Sequence, residues 1–211
     1  MLSDTYSKQL ALAAAVVVCA ATGAAAQKDL DQTTTYPSVE GKKLVVDAAD
    51  LDLTLRTADV AEIEAEVQLH ISGTGDEKGQ AWIDSHTPDF SDAEDVLQIT
   101  VNPGKSGFLG FGKLTARARL GLLVPGGVIP DLTTTKGAIT VRGDFPDAHP
   151  LRLRSMTGDM TMVGAARSLS IDGADGDADI EVIRPLAVFN ASTSSGDVRL
   201  VGGTRQTDVD T

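Results

Sequence analysis

One short pattern returns four times between Pro130 and Gly203, and this repeat constrains the fold more than any other feature of the chain. Its anchors are four glycines that follow one another after 21, 18 and 20 residues: Gly137, Gly158, Gly176 and Gly196. Self-similarity at a period of about 20 residues is typical of solenoids and other repeat arrays. The last three anchors are each followed by an aspartate, namely Asp159, Asp177 and Asp197. The sequence therefore predicts a structure built from equivalent short units.

Both flanks of each anchor alternate between apolar and polar residues. Around Gly158, for example, Leu151 and Leu153 precede the anchor, and Met160 and Met162 follow it. A period of two places apolar side chains on one face of a strand. Glycine accepts a positive φ without steric cost, and aspartate hydrogen-bonds nearby backbone groups. Each unit is therefore predicted to consist of two short strands around a Gly-Asp turn.

The fold class follows from how such units can bury their apolar faces. One two-strand unit cannot do so alone, whereas parallel copies bring like residues into shared columns and form one continuous core. We therefore predict an all-β chain folded as a β-solenoid of two-strand repeats, in which Met160, Ala178 and Val198 share a column. The alternative is an antiparallel β-sandwich, because short strands at even spacing also suit that fold.

The first 26 residues are typical of a secretory signal peptide. Lys8 makes the start positive, an apolar run extends from Leu10 to Ala21, and small residues precede Gln27. The run is too short to span a membrane. The predicted organisation is a signal peptide in residues 1–26, a flexible polar leader in residues 27–43 and a single β-repeat domain in residues 44–211.

The domain divides into irregular strands in residues 44–124 and regular repeats in residues 125–211. Three strands are predicted to begin near Leu44, Leu51 and Ile63, and a loop is predicted for residues 72–79. Trp82 is predicted to form part of a hydrophobic cap over these strands. The chain reaches Thr211 in mid-repeat, so the array is expected to be either truncated or closed by a short polar tail.

An alternating row of acids precedes that loop. Glu62, Glu64 and Glu66 alternate with apolar residues, so they are predicted to form a solvated face of one strand.

The formal net charge of −12 at pH 7 restricts the partners. Phosphate groups and anionic lipids would repel so acidic a chain, and it has no basic run to compensate, so no nucleic-acid binding is predicted. The only cysteine, Cys19, lies in the signal segment, and the mature chain has neither disulfides nor thiol chemistry. We expect an exported bacterial protein of the periplasm or cell surface, without a membrane span in its mature part.

Five acids crowd one glycine-rich segment, namely Asp172, Asp175, Asp177, Asp179 and Glu181. Hard oxygen ligands suit calcium, and solenoid repeats can bind it between turns. Asp175, Asp177 and Asp179 are the ligands of this calcium hypothesis, although the segment lacks the glycine of a helix-loop-helix calcium loop. No other cofactor is predicted.

No catalytic constellation stands out in the sequence. The three histidines, His70, His86 and His149, are widely separated and lie in different contexts, so neither a three-histidine metal site nor a Ser-His-Asp arrangement is predicted. The aspartates after the anchors recur at equal steps, as structural turn residues do.

The turn at Val124-Pro125-Gly126, followed by the repeated Gly-Asp strands, resembles the bacterial putative-adhesin family of exported repeat domains. The likeness extends from Leu44 to the end of the chain, and it departs at the first anchor, where Ala138 stands in place of aspartate. The resemblance implies a β-solenoid with a binding role of largely uncharacterised kind, and it carries no catalytic residues.

The predicted function is therefore an exported, non-catalytic, adhesin-like protein at the bacterial envelope. It would offer a binding or scaffolding surface to an envelope protein or a glycan that the sequence does not identify. The alternatives are a carbohydrate-active enzyme built on a β-helix and a structural spacer of the envelope.

Overall fold

The computed structural model describes residues 27–38, 41–101, 115–145 and 150–210, which contain two eight-stranded sheets and a helix, α1 (Asp76–His86). Sheet 1 contains, in spatial order, β1 (Gln27–Pro37), β4 (Glu62–Ser72), β7 (Thr115–Val124), β3 (Asp52–Thr57), β9 (Ile139–Phe145), β11 (Met160–Ala166), β13 (Ala178–Val182) and β15 (Val198–Val201). Sheet 2 contains β16 (Thr207–Asp210), β14 (Val188–Ser195), β12 (Ser168–Asp175), β10 (Leu151–Ser155), β8 (Ile129–Thr134), β2 (Lys43–Asp47), β6 (Val96–Thr100) and β5 (Asp89–Asp92). The predicted signal peptide lies outside the described residues.

The predicted fold class, a β-solenoid, is wrong. The two sheets are mixed and open, and they fit a sandwich-like fold. The three antiparallel pairs, β1–β4, β4–β7 and β5–β6, lie at the other end of the sheets from the last repeats. Their strands include the two longest, β1 and β4, of 11 residues each, which come before the repeats and do not share their period. The structure also differs from the alternative, an antiparallel sandwich, because its other neighbouring strands pair in parallel.

The prediction that equivalent residues share columns is confirmed. Met160 on β11 is in register with Ala178 on β13, which is in register with Val198 on β15. The residues before the anchors stack in the same way in sheet 2, where Leu151, Leu169 and Phe189 are in register. The two strands of each unit therefore lie in different sheets, and each Gly-Asp turn carries the chain from sheet 2 to sheet 1.

The hydrophobic core lies between the two sheets. The inward residues of both sheets form one buried cluster, in which Phe145 and Phe189 are the largest fully buried side chains. Burying one leucine-sized side chain contributes about 1.5 to 3 kcal/mol, so a core of this kind can hold a chain without disulfides. The predicted cap is confirmed, because Trp82 and Ile83 are buried in the same cluster.

The glycine anchors allow backbone to pack directly on backbone. A Cβ atom on Gly158 would lie 2.0 Å from the carbonyl oxygen of Gly137, the equivalent residue of the preceding unit. At Gly196, φ is +129°, and a Cβ atom would lie 2.3 Å from the carbonyl oxygen of Gly176. The second position therefore requires glycine for both conformation and space, whereas the first requires it for space alone.

Buried hydroxyl groups hold two of these anchors in place. The backbone N–H of Gly158 donates to Oγ of Ser155 at 2.8 Å, and the N–H of Gly137 donates to Oγ1 of Thr134 at 3.0 Å. Both hydroxyl residues are almost fully buried. Each lies three residues before its anchor, so a buried hydroxyl group satisfies the backbone N–H of the anchor glycine.

Two local predictions for the first part of the domain are wrong. The leader predicted as flexible forms the edge strand β1 and the start of β2 at Lys43. The loop predicted for residues 72–79 runs into α1, which begins at Asp76. Asp76 and Glu77 favour this helix because carboxylates in the first turn interact well with the helix dipole. Gly79 and the polar content of the segment hid the helical pattern from sequence analysis.

The close packing of the anchors predicts a steep cost for a single methyl group. We expect Gly158→Ala to lower the free energy of unfolding by about 3 kcal/mol, because the added Cβ would overlap the Gly137 carbonyl and the turns would have to separate. The matched control is Gly203→Ala, whose Cβ would meet its nearest atom at 3.6 Å. Urea unfolding of both variants is the measurement, and equal midpoints would contradict the role of the anchor.

Candidate functional site

The aspartates of the Gly-Asp turns form a ladder between successive units. Oδ1 of Asp159 accepts the backbone N–H of Asp177 at 3.0 Å, and Oδ1 of Asp177 accepts that of Asp197 at 2.9 Å. Asp52 makes the same contact one step earlier, because its Oδ1 accepts the N–H of Ala138 at 3.1 Å, but Ala138 has no carboxylate and interrupts the ladder before Asp159. Sequence analysis missed Asp52 because it lies outside the regular repeats. These carboxylates thus hold neighbouring turns together.

The acids of the calcium hypothesis are directed to separate partners in the next unit. Oδ1 of Asp175 accepts the hydroxyl of Ser195 at 2.9 Å, and Oδ1 of Asp179 accepts Nη1 of Arg199 at 3.0 Å, while Asp177 serves the ladder. Within the described ranges, no group of three or more His, Cys, Asp or Glu residues is arranged to hold a metal ion. The calcium hypothesis stays a prediction, and the contacts of these acids explain their presence without a metal.

The histidines have different surroundings. His70 lies on β4, where its Nδ1 is 2.5 Å from Oδ1 of Asp29. His86 lies on α1, stacked on Trp82 with ring centroids 4.2 Å apart, and its Nδ1 is 2.8 Å from the Trp82 carbonyl oxygen. His149 lies outside the described residues. His86 thus belongs to the buried cap, and His70 to the surface.

The outward face of sheet 1 carries two adjacent depressions, with volumes of about 390 and 600 Å³. The smaller one lies over β3, β4 and β7, and the larger one over β1, β4 and β7. Gln68 and Arg119 line both of them, so the two depressions adjoin, and we call them together the outer groove. Its polar and charged lining residues are Asp29, Asp31, Thr54, Arg56, Glu64, Glu66, Gln68, His70, Thr115, Arg117 and Arg119.

The groove follows from the pleat of the strands and from one glycine. Alternation on β4 buries Ile63, Ala65 and Val67 and leaves the intervening side chains on the outward face. Gly121 on β7 is in register with Glu66 and has no side chain to fill the space above it. A Cβ atom there would lie 3.6 Å from Oε2 of Glu66, so this carboxylate borders the opening.

Charges of opposite sign occupy separate parts of this face. The acid stripe lies on β1 and β4 and contains Asp29, Asp31, Glu62, Glu64 and Glu66. The predicted solvated row of glutamates on β4 is therefore confirmed as part of it. The arginine stripe lies on β7, β3 and β9 and contains Arg56, Arg117, Arg119 and Arg142. The sequence showed the glutamate row but could not show that three distant segments bring four arginines beside it.

The strand register keeps the two stripes from neutralising each other. Across β4 and β7, Arg119 is in register with Gln68 and Arg117 with His70. Asp52 is in register with Arg119 from the other side, but its Oδ1 accepts the backbone N–H of Ala138. In the part of the chain that the structure describes, no salt bridge joins an acid of one stripe to an arginine of the other.

The register also brings like charges together within the arginine stripe. Arg56 on β3 is in register with Arg142 on β9. Like charges directly opposite each other on neighbouring strands are destabilising. This pair therefore costs the fold some stability.

One acid of the groove has a shifted pKa. Burial raises the pKa of Asp29, but hydrogen bonds with Gln27 and His70, together with the positive charge of protonated His70, outweigh burial and bring the pKa below its ordinary value. Asp29 therefore stays charged into mildly acidic solution. Its contribution to folding is present above the ordinary aspartate pKa and is lost as the pH falls through the lowered value.

The chain matches no family model and no curated protein. A crystal structure of a putative cell adhesion protein from Clostridium sporogenes is 12% identical, with a TM-score of 0.41, over 87% of this chain and 99% of that one. A putative adhesin from Bacteroides fragilis is 13% identical, with a TM-score of 0.33, over 86% and 97% of the two chains. A putative adhesin from Parabacteroides merdae is 8% identical, with a TM-score of 0.37, over 84% and 95%.

The solved structures are described as a putative cell adhesion protein and as putative adhesins, in agreement with the resemblance predicted from the Gly-Asp repeats. Each is a structure to which the chain is similar, and at such identities none of them assigns a function to it. Among the described residues, no helix is long and apolar enough to cross a membrane.

The aspartate ladder and the calcium hypothesis predict different outcomes for one substitution. Asp177→Asn keeps an oxygen acceptor for the Asp197 N–H, so we expect stability close to that of the wild type. Asp177→Ala removes the acceptor and should lower the free energy of unfolding by about 1 kcal/mol. Thermal unfolding in millimolar calcium and in chelator is the measurement, with the exposed Asp208→Ala, outside the acidic segment, as control. A calcium-dependent rise in melting temperature that Asp177→Asn abolishes would contradict the ladder account.

Proposed function

We propose that this protein is an exported, non-catalytic protein that offers a binding surface at the bacterial envelope, and that the outer groove is its binding site. The observation that carries the proposal is the separation of charge across the groove. Cross-strand pairs of opposite charge stabilise a sheet, yet the register places Glu64 opposite Leu123 and Glu66 opposite Gly121. Binding accounts for charges that the fold does not use for its own stability.

The export part of the proposal is supported by the sequence. The first 26 residues have the charge, apolar run and small residues of a signal peptide. The remaining chain contains no cysteine, so it can fold in an oxidising compartment without pairing any thiol.

The absence of catalysis is supported by the geometry of the two glutamates that line the groove. Glu64 and Glu66 leave the same face of one strand at positions roughly 7 Å apart. A glycosidase instead places its two carboxyl groups on either side of the bond that it cleaves. Arg56 and Arg119 line the same depression, so the two glutamates face positive charge and not a further carboxyl group. We propose that the protein works without a cofactor.

The proposal predicts that the arginines of the groove hold the protein on the envelope. Labelled mature chain, residues 27–211, is incubated with an isolated envelope fraction, and the retained fraction is measured against concentration. We expect the double variant Arg56→Gln and Arg119→Gln to be retained about tenfold more weakly, because two charges facing the partner are lost. Arg205→Gln, an exposed arginine at the far end of the molecule, is the matched control.

Equal retention of the double variant and the control would contradict the assignment of the groove as the binding site. Release of sugar from envelope polysaccharide by the wild type, with loss of that release in Glu66→Gln, would contradict the proposal that the protein is not an enzyme.

A further inference from the structure

We propose that the outer groove binds an extended peptide in which acidic and basic side chains alternate, and this inference rests on the proposed function above. The groove has acids along one side, on β1 and β4, and arginines along the other, on β7, β3 and β9. A peptide in extended conformation directs successive side chains to opposite sides. A strand lying in the groove can therefore present its basic side chains to the acids and its acidic side chains to the arginines.

The charge pattern selects against ligands of a single sign. A polyanion would meet Arg117 and Arg119 but would also lie against Glu66 and Asp31, and the net charge of −12 would repel it. A polycation would be attracted to the acids but would lie against the arginines. A neutral ligand would displace water from ionised side chains and give them no counter-charge, which costs free energy.

The shape and chemistry of the groove favour a peptide over a sugar chain. Together the two depressions extend along β7 from Thr115 to Leu123, which is roughly 27 Å of strand and matches about eight residues of extended peptide. The described lining of the groove contains no Phe, Tyr or Trp, the large apolar rings on which a sugar ring would stack. At the centre, Gly121 exposes backbone, so another backbone can approach closely.

The test compares four labelled octapeptides by fluorescence anisotropy with the mature chain. The first alternates lysine and glutamate, and the second has the same composition in blocks of two, so that both signs face each side of the groove. The third contains only glutamate, and the fourth only lysine. We expect the alternating peptide to bind about fivefold more tightly than the other three, with an affinity that falls as salt is added.

Two substitutions locate this binding. Glu66→Gln and Arg119→Gln should each weaken binding of the alternating peptide about threefold, since each removes one counter-charge. The controls, Glu181→Gln and Arg205→Gln, change charges that do not line the groove and should leave the affinity unchanged. Melting temperatures of all four variants confirm that the fold is intact.

The outcomes separate this inference from the proposed function. If the blocked peptide binds as tightly as the alternating one, or if the groove variants do not weaken binding, the inference is wrong. If no peptide binds but the arginine variant still loses envelope retention, the partner belongs to another class, such as a glycan or a lipid, and the proposed function stands. If the arginine substitutions also leave envelope retention unchanged, both this inference and the proposed function are wrong.

Discussion

The close contact between the backbones of successive units is the constraint on which the rest of the structure depends. Each of the last three anchor glycines packs against the carbonyl of the anchor before it, so the turns come near enough for aspartate side chains to bridge them. Once the turns are fixed, the strands on both sides must run parallel and in register. The columns of the core and the outward rows of polar residues then follow from the alternation of side chains.

The regular half of the fold could be predicted from sequence because each unit repeats the same local chemistry. The period revealed the units, the alternation revealed their inward faces, and Met160, Ala178 and Val198 do share a column. The class was misjudged because β1 and β4 pair antiparallel over their full length, a contact between segments without any common pattern. Their pairing depends on contacts between distant segments, which no local sequence pattern predicts.

Most of the candidate site could not be predicted from the sequence, because it too is assembled from distant segments. The glutamates of β4 appear in one stretch, and their exposure follows from alternation alone. Arg56, Arg119 and Arg142 come from three distant segments, and only the strand order β7–β3–β9 brings them together. Asp175, Asp177 and Asp179, by contrast, suggested a metal site because the sequence does not show their partners in the next unit, which are a hydroxyl, a backbone N–H and a guanidinium group.

Disulfide trapping measures the register of the units most directly, because residues 27–211 contain no cysteine. Thr161 and Asp179 are in register on neighbouring parallel strands, and both lie on the outward face. Cysteines at these two positions should cross-link on mild oxidation. The pair at Thr161 and Glu181 is displaced by two residues, beyond the roughly 7 Å between Cα atoms that a disulfide spans, and should stay reduced. Preferential cross-linking of the displaced pair would contradict the in-register stack.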